Sequence, residues 1–262
     1  MEQMSAIQKA RILRACERIY QEYHSPEFIH PDPLEVPRRF TSVADRELVA
    51  FVSSVFALGR VELILSFLNR IFERFPSPSS QLTELKVEDI EGLLGGVRYR
   101  FFDPRAVSTI LKSVASLQRS FGSLEAVYAK GGLRGLRDEL VRRAGPDVPA
   151  IGFPNPEGIA KRLHLFLRWV VRNDSIDLGL WDSSYAPSLV YPLDTHIFQT
   201  GVLLGITSRN SPDLRARDEI THFFRQVCPQ DPVRYDFSLS RIGLGKDLSN
   251  DEYKIAVLKF FD

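Results

Sequence analysis

Residues 151–171 read IGFPNPEGIAKRLHLFLRWVV. The first half holds Gly152, Pro154, Pro156 and Gly158, a density of chain-breaking residues that reads as a turn rather than a regular element. The second half changes character. Ile159, Leu163, Phe166 and Val170 recur at three- and four-residue spacing, the mark of a helix with one face turned inward. Leu165, Leu167, Trp169 and Val171 cover most of its other sides, so neighbours should enclose this helix rather than leave it on the surface. Asn155-Pro156 is a fitting start signal, giving a helix predicted over 156–173 behind a hairpin at 145–158.

The same period runs outward in both directions. Ile12, Cys16, Ile19 and Tyr23 share a face. Asp45 is placed to cap a second helix through LVAFVSSVFAL, interrupted at Gly59. Asp103-Pro104 opens a helix with Val107, Ile110, Leu111, Val114 and Leu117 in register. Ser211-Pro212-Asp213 starts one carrying Ile220, Phe223, Phe224 and Val227, and Asp231-Pro232 another, closed by Gly243 and Gly245. The fold class is therefore all-α: two packed helical subdomains with a long hairpin between helices. We read 1–262 as one helical domain with a cleft between its halves. The proline-rich stretch 25–43 reads as a long ordered loop, while the hairpin 145–158 and the connection 173–193 hold Ile151, Phe153, Leu180, Trp181 and Leu189, which argues against disorder.

Composition narrows function. Hydrophobic residues make up 44%, enough for a large core. Two cysteines, Cys16 and Cys228, cannot supply the four thiolates of an iron–sulfur cluster. Five scattered histidines suggest no zinc site, so no metal or cofactor is expected. With no signal core and no long apolar run, a cytoplasmic monomer away from membranes is the expectation. The net charge is +1, so a nucleic-acid surface has to be a local patch. Between Arg98 and Arg143 ten cations stand against four acids, a local excess of +6. This is either a set of solvated helix faces or a surface that follows phosphates. The expected phosphate-facing residues are Arg98, Arg100, Arg134 and Arg142, with Arg162 and Arg168 on the following helix.

Two residues carry the chemistry. Lys161 stands near the start of the buried helix, turned away from its Ile159–Leu163–Phe166 face. The positive helix end and the adjacent Arg162 oppose a second positive charge, which favours a neutral, nucleophilic amine. Asp194, in YPLDTHIFQTGVLLGI, precedes the next helix at an N-cap position. The alternatives are a solvated lysine and an aspartate that only caps.

The order of hairpin, lysine-bearing helix, then Pro192-Leu193-Asp194-Thr195-His196 resembles the helix-hairpin-helix DNA glycosylase superfamily, whose bifunctional members carry a lysine after the hairpin and an aspartate in phrases such as V-P-V-D-x-H. LLGGVRYRFFDPRAVSTILKSV (93–114) is similar to that superfamily's GLGYRARYV region, and FVSSVFALGRVE (51–62) to the helix presenting its DNA-wedging loop. The archaeal 8-oxoguanine DNA glycosylase group is the most similar, with a long hairpin, no iron–sulfur cluster and a long lysine-to-aspartate separation, 33 residues here. The phrases Lys161-Arg162-Leu163, Leu167-Arg168-Trp169 and Pro192-Leu193-Asp194-x-His196 also resemble an uncharacterised bacterial family.

The resemblance implies base excision from double-stranded DNA, with Lys161 forming a Schiff base and Asp194 as its partner. Gly152 and Gly158 would face phosphate. The hairpin lacks the usual G-V-G, so its bound monovalent ion is not carried over. Val55, Phe56 and Ala57 stand in the wedge region. Trp181, Trp169 and His196 are candidates for the base pocket; core or lid packing is the other reading of the tryptophans, and a helix-start histidine that of His196. Two further functions compete: a non-catalytic DNA-binding scaffold and a helical protein-interaction domain.

Overall fold

The computed structural model describes residues 4–242 and 250–261. In chain order the helices are α1 (Ala6–Tyr23), α2 (Val43–Val55), α3 (Val61–Phe72), α4 (Pro78–Glu84), α5 (Val87–Leu93), α6 (Pro104–Phe121), α7 (Leu124–Ala144), α8 (Lys161–Val171), α9 (Thr195–Leu203), α10 (Leu214–Val227), α11 (Asp236–Arg241) and α12 (Asn250–Leu258). The all-α class holds, and extended pairing among the described residues is limited to isolated bridges such as Tyr99 to Phe102. The chain divides into two compact units: a central unit of residues 29–172 and 177–181, and a terminal unit of residues 1–28, 173–176 and 182–262.

The central unit is built on α2, where every residue from Glu47 to Val55 is buried. Phe51 meets Phe166 of α8 edge-on at 5.0 Å, and Phe56, just past α2, meets Phe67 of α3 at 4.8 Å. Around α6, whose Val107, Ile110, Leu111, Val114 and Leu117 are buried as their spacing predicts, pack α2, α4, α5 and α7. Gly132 takes φ 60° and ψ −159°, breaking α7 at its glycine pair. Glu47 is 3% exposed and joins the unit's parts. One carboxylate oxygen accepts from the Trp181 indole at 2.7 Å and the Glu125 amide at 3.3 Å. The other accepts from the Gln118 amide group at 2.6 Å and the Leu124 amide at 3.0 Å.

In the terminal unit, Ile12, Ala15, Cys16 and Ile19 of α1 are buried, and α1 packs on α11. Gly201 of α9 faces α10 with no room for a side chain: a Cβ there would lie 2.6 Å from Ile220 Cδ1. Tyr191 stacks on Phe224 at 4.9 Å.

Several boundaries differ from expectation. The cap of α2 is Ser42, whose hydroxyl accepts from the Asp45 amide; Asp45 instead accepts from the Ser79 amide at 2.8 Å. α2 stops at Val55, before Gly59. α11 begins at Asp236 rather than Asp231; the expected end at Gly243 and Gly245 lies outside the described residues. Three single 3-10 turns, Pro26–Phe28, Pro33–Glu35 and Pro37–Arg39, order the proline-rich stretch.

Candidate nucleic-acid interface and the lysine helix

The helix predicted over 156–173 is shorter. Residues 155–160 remain in turns, with the Glu157 amide donating to Asn155 Oδ1 at 3.1 Å and the Gly158 amide to Asn155 O at 3.0 Å. Ala160 adopts a left-handed conformation, φ 44° and ψ 34°, and gives no side-chain cap. Helical geometry therefore begins at Lys161 itself, which is half-buried. Its side chain thus leaves from the first helical residue, directly after Ala160, which as N-cap supplies no side-chain oxygen.

The hairpin is held by burial of Phe153 against Phe51, 6.4 Å between ring centroids. It does not present Gly152 and Gly158 as expected. Gly152 is buried with its amide donating to Pro149 O at 2.7 Å, and the Gly158 amide is the one engaged by Asn155. Both glycine amides serve the hairpin's own turns.

Arg162 and Arg168 are also corrected. Arg162 is 6% exposed and its guanidinium donates to the Val55 and Ile151 carbonyls. Arg168 and Arg172 both pair with Asp177, and the three side chains are almost wholly enclosed. The return segment 177–181 brings that carboxylate back across α8, with the Leu178 amide on Trp169 O at 2.7 Å. Neither arginine offers a guanidinium to solvent. Trp169 is fully buried and Trp181 nearly so, with the Phe166 ring against Trp181 at 5.3 Å. These tryptophans pack the core, and no ring face is open for a base.

Exposed cations remain. Arg134 pairs with Glu157, and Arg142 with Glu139 at 2.7 Å, all at the surface. Surface pairs are worth about 0–1 kcal/mol, so a phosphate can compete for these guanidiniums. Arg98 and Arg100 stand on a more distinctive element. Tyr99 and Phe102 exchange both main-chain hydrogen bonds, at 2.9 and 2.8 Å, closing a two-residue turn in which Arg100 takes φ 51°. Phe102 points into the core, while Phe101 at the tip is 62% exposed beneath the Arg100 guanidinium, 5.5 Å from its ring centroid. The turn is fastened to the loop after α2: Tyr99 Oη donates to Leu58 O at 2.7 Å, and Arg100 Nη1 lies 3.5 Å from the same oxygen. Arg60 follows on that loop and is exposed. The two segments singled out in the sequence as DNA-contacting thus meet in one place. Phe101 and Arg60 were not singled out; the alternation of Arg98, Tyr99, Arg100 and Phe101 after two glycines is the signal that could have found them.

In the terminal unit, Asp194 caps α9, its Oδ1 accepting from the Ile197 amide at 2.8 Å, and is half-buried. Tyr191, Pro192 and Leu193 are buried and anchor it, while Thr195 and His196 are exposed. Thr200 Oγ1 donates to His196 O at 2.8 Å and lies 2.6 Å from Tyr253 Oη. Burial raises the Tyr253 phenol, and the nearby Asp194 charge adds to the rise. No described helix is long and apolar enough to cross a membrane.

Over residues 32–245 the chain matches the family described as protein of unknown function (DUF2400), and it belongs to that family. The match takes in both Lys161 and Asp194 and leaves α1 and α12 outside. No curated protein and no solved structure matches the chain.

Proposed function

We propose that this protein is a DNA base-excision glycosylase with AP-lyase activity, acting on an oxidised purine such as 8-oxoguanine in duplex DNA. The observation that supports it most is the start of α8: a lysine placed as the first helical residue after a hairpin. The Tyr99–Phe102 turn, on the same unit, supplies the complementary features of a duplex contact. Arg98 and Arg100 suit phosphates, and an exposed aromatic suits an unstacked base step.

In this reading the damaged nucleotide leaves the stack before reaction, because its sugar carbon is inaccessible within the duplex. The neutral Lys161 amine attacks C1′, the N-glycosidic bond breaks, and the base departs with the bonding pair and takes up a proton. Asp194 stabilises the positive charge that develops at C1′ or accepts the proton that the lysine nitrogen sheds. Ring opening leaves an iminium. Loss of a C2′ proton then expels the 3′ phosphate and nicks the strand.

The test is borohydride trapping on a duplex containing oxidised guanine. The parent should give a covalent adduct and a nick. Lys161→Ala should give neither, with a thermal midpoint close to the parent, because Lys161 is not part of the buried face. Nicking by folded Lys161→Ala at the parental rate refutes the reading. A parent that binds duplex without reacting would be a scaffold, and one that does not bind would return the interaction-domain reading.

A further inference from the structure

Side chains on a helix lean back toward its N-terminus. Arg162, one residue into α8, accordingly extends its guanidinium past the start of the helix. There it meets two main-chain oxygens distant in sequence: Val55 O at the end of α2 and Ile151 O in the hairpin. Both partners are neutral, and among the described residues Arg162 has no carboxylate partner. Burial pushes this guanidinium down to about 10, the direction expected for a cation withdrawn from water without a counter-charge. Such a cation is costly unless fixed dipoles offset it. The offset comes from α2. Val55 closes that helix, and its carbonyl is one of the terminal oxygens where the macrodipole places roughly half a negative charge. The amides that follow, from Phe56 and Ala57, turn back to Val52 O and Ser54 O, which leaves Val55 O for Arg162. Two donors in a rigid fork fit two separate carbonyls; a lysine ammonium on a single stem does not span them in the same way.

Val55 leads directly into the loop whose Leu58 carbonyl holds the Tyr99–Phe102 turn. The guanidinium therefore joins three things: that loop, the hairpin and the first turn of α8. We infer that Arg162 is the positioning residue for Lys161, fixing the amine relative to the duplex-contacting turn while touching neither DNA nor the reacting carbon. The inference rests on the glycosylase reading.

The experiment uses the full chain, a duplex with one abasic site, and borohydride. Arg162→Ala should slow trapping at saturating duplex by about tenfold or more, since misplacing a reacting group by around 1 Å costs that much. Duplex affinity should change by about threefold or less, because the residue is remote from phosphates. Free guanidinium ion at roughly tens of millimolar, entering the vacated site, should restore part of the rate to Arg162→Ala and do nothing for the parent. Arg162→Lys keeps the charge but engages one carbonyl, and should trap at an intermediate rate; should Arg162→Ala fail to fold, this variant decides alone. Equal trapping rates in the folded variants overturn the role. So does a loss confined to affinity and thermal midpoint that neither guanidinium nor lysine relieves. If the parent itself forms no adduct, the glycosylase reading falls and the positioning role with it.

Discussion

Glu47→Gln changes one atom and should destabilise the central unit by about 3 kcal/mol. The carboxylate accepts four donors, two on each oxygen, in a site 3% exposed. A glutamine offers one oxygen and one amino group. Whichever way it turns, two donors confront a donor: either the Trp181 indole and the Glu125 amide, or the Gln118 side chain and the Leu124 amide. Gln118 cannot simply flip to help, because its amide nitrogen also donates to Ala44 O at 3.0 Å and its oxygen accepts from Ser79 at 3.1 Å. Hydrogen bonds to a charged group are worth about 1.5–3 kcal/mol each, and stranding a buried donor costs about 1–3. Relief from desolvating the charge works the other way but is shared over four donors, so the stranded pair decides the sign. Both tryptophans of the chain, Trp169 and Trp181, belong to the central unit, so their fluorescence in urea follows this unit specifically. The midpoint should drop with an unchanged slope, and the thermal midpoint by about 6–12 °C at about 2–4 °C per kcal/mol for a unit of this size. Trp181→Phe removes one donor and leaves the acceptor intact, so its loss should be smaller, about 1–2 kcal/mol. A Glu47→Gln protein within about 0.5 kcal/mol of the parent would refute the reasoning.

Arg98→Ala and Arg100→Ala should each make the salt dependence of duplex binding shallower by about one unit; a flat dependence in the parent would mean that no phosphate-binding face exists. Gly59 takes φ 106°, a conformation that residues with a Cβ rarely adopt, so Gly59→Ala should cost about 1–2 kcal/mol in urea unfolding followed by tryptophan fluorescence, with a parental midpoint as the contrary result. In the terminal unit Cys16, Tyr191, Cys228 and Tyr235 all have ionisation pushed up, in each case first by burial. The unfolded chain loses these protons first, from ordinary values of 9.0 for cysteine and 10.0 for tyrosine. Stability from these groups is therefore complete below pH 9 and declines above it. Urea midpoints by circular dichroism should fall between about pH 8 and about pH 10.5, and a constant midpoint would contradict the burial argument.

Periodicity carried much of the fold because a helix buries what its spacing presents. The α6 face was read residue by residue from 107 to 117, and the apolar α8 proved enclosed. Boundaries were harder where side chains bond locally: Asn155 holds Glu157 and Gly158 in a turn, so Asn155-Pro156 is the start of a turn rather than of a helix. Charge was least legible. A pattern reads arginine as surface, yet Arg162 finds its acceptor 107 residues away, and Arg168 finds Asp177 only because the chain doubles back across α8. Likewise Phe101 and Phe102 are neighbours of one residue type, and the turn sends one inward and the other to solvent.

The interrupted course of the chain has a consequence for its synthesis. α1 belongs to the terminal unit, but its packing partner α11 lies about 200 residues downstream, beyond the entire central unit. At about 5–20 residues per second, a ribosome leaves the Ile12, Ala15, Cys16 and Ile19 face of α1 uncovered for about 10–40 s. Meanwhile the whole central unit, residues 29–172 and 177–181, has been made once Trp181 is added. Folding on the ribosome should therefore run from the middle outward. α1 should then wait for its partner, and a variant lacking α11 should leave the apolar face of α1 without the helix it packs on.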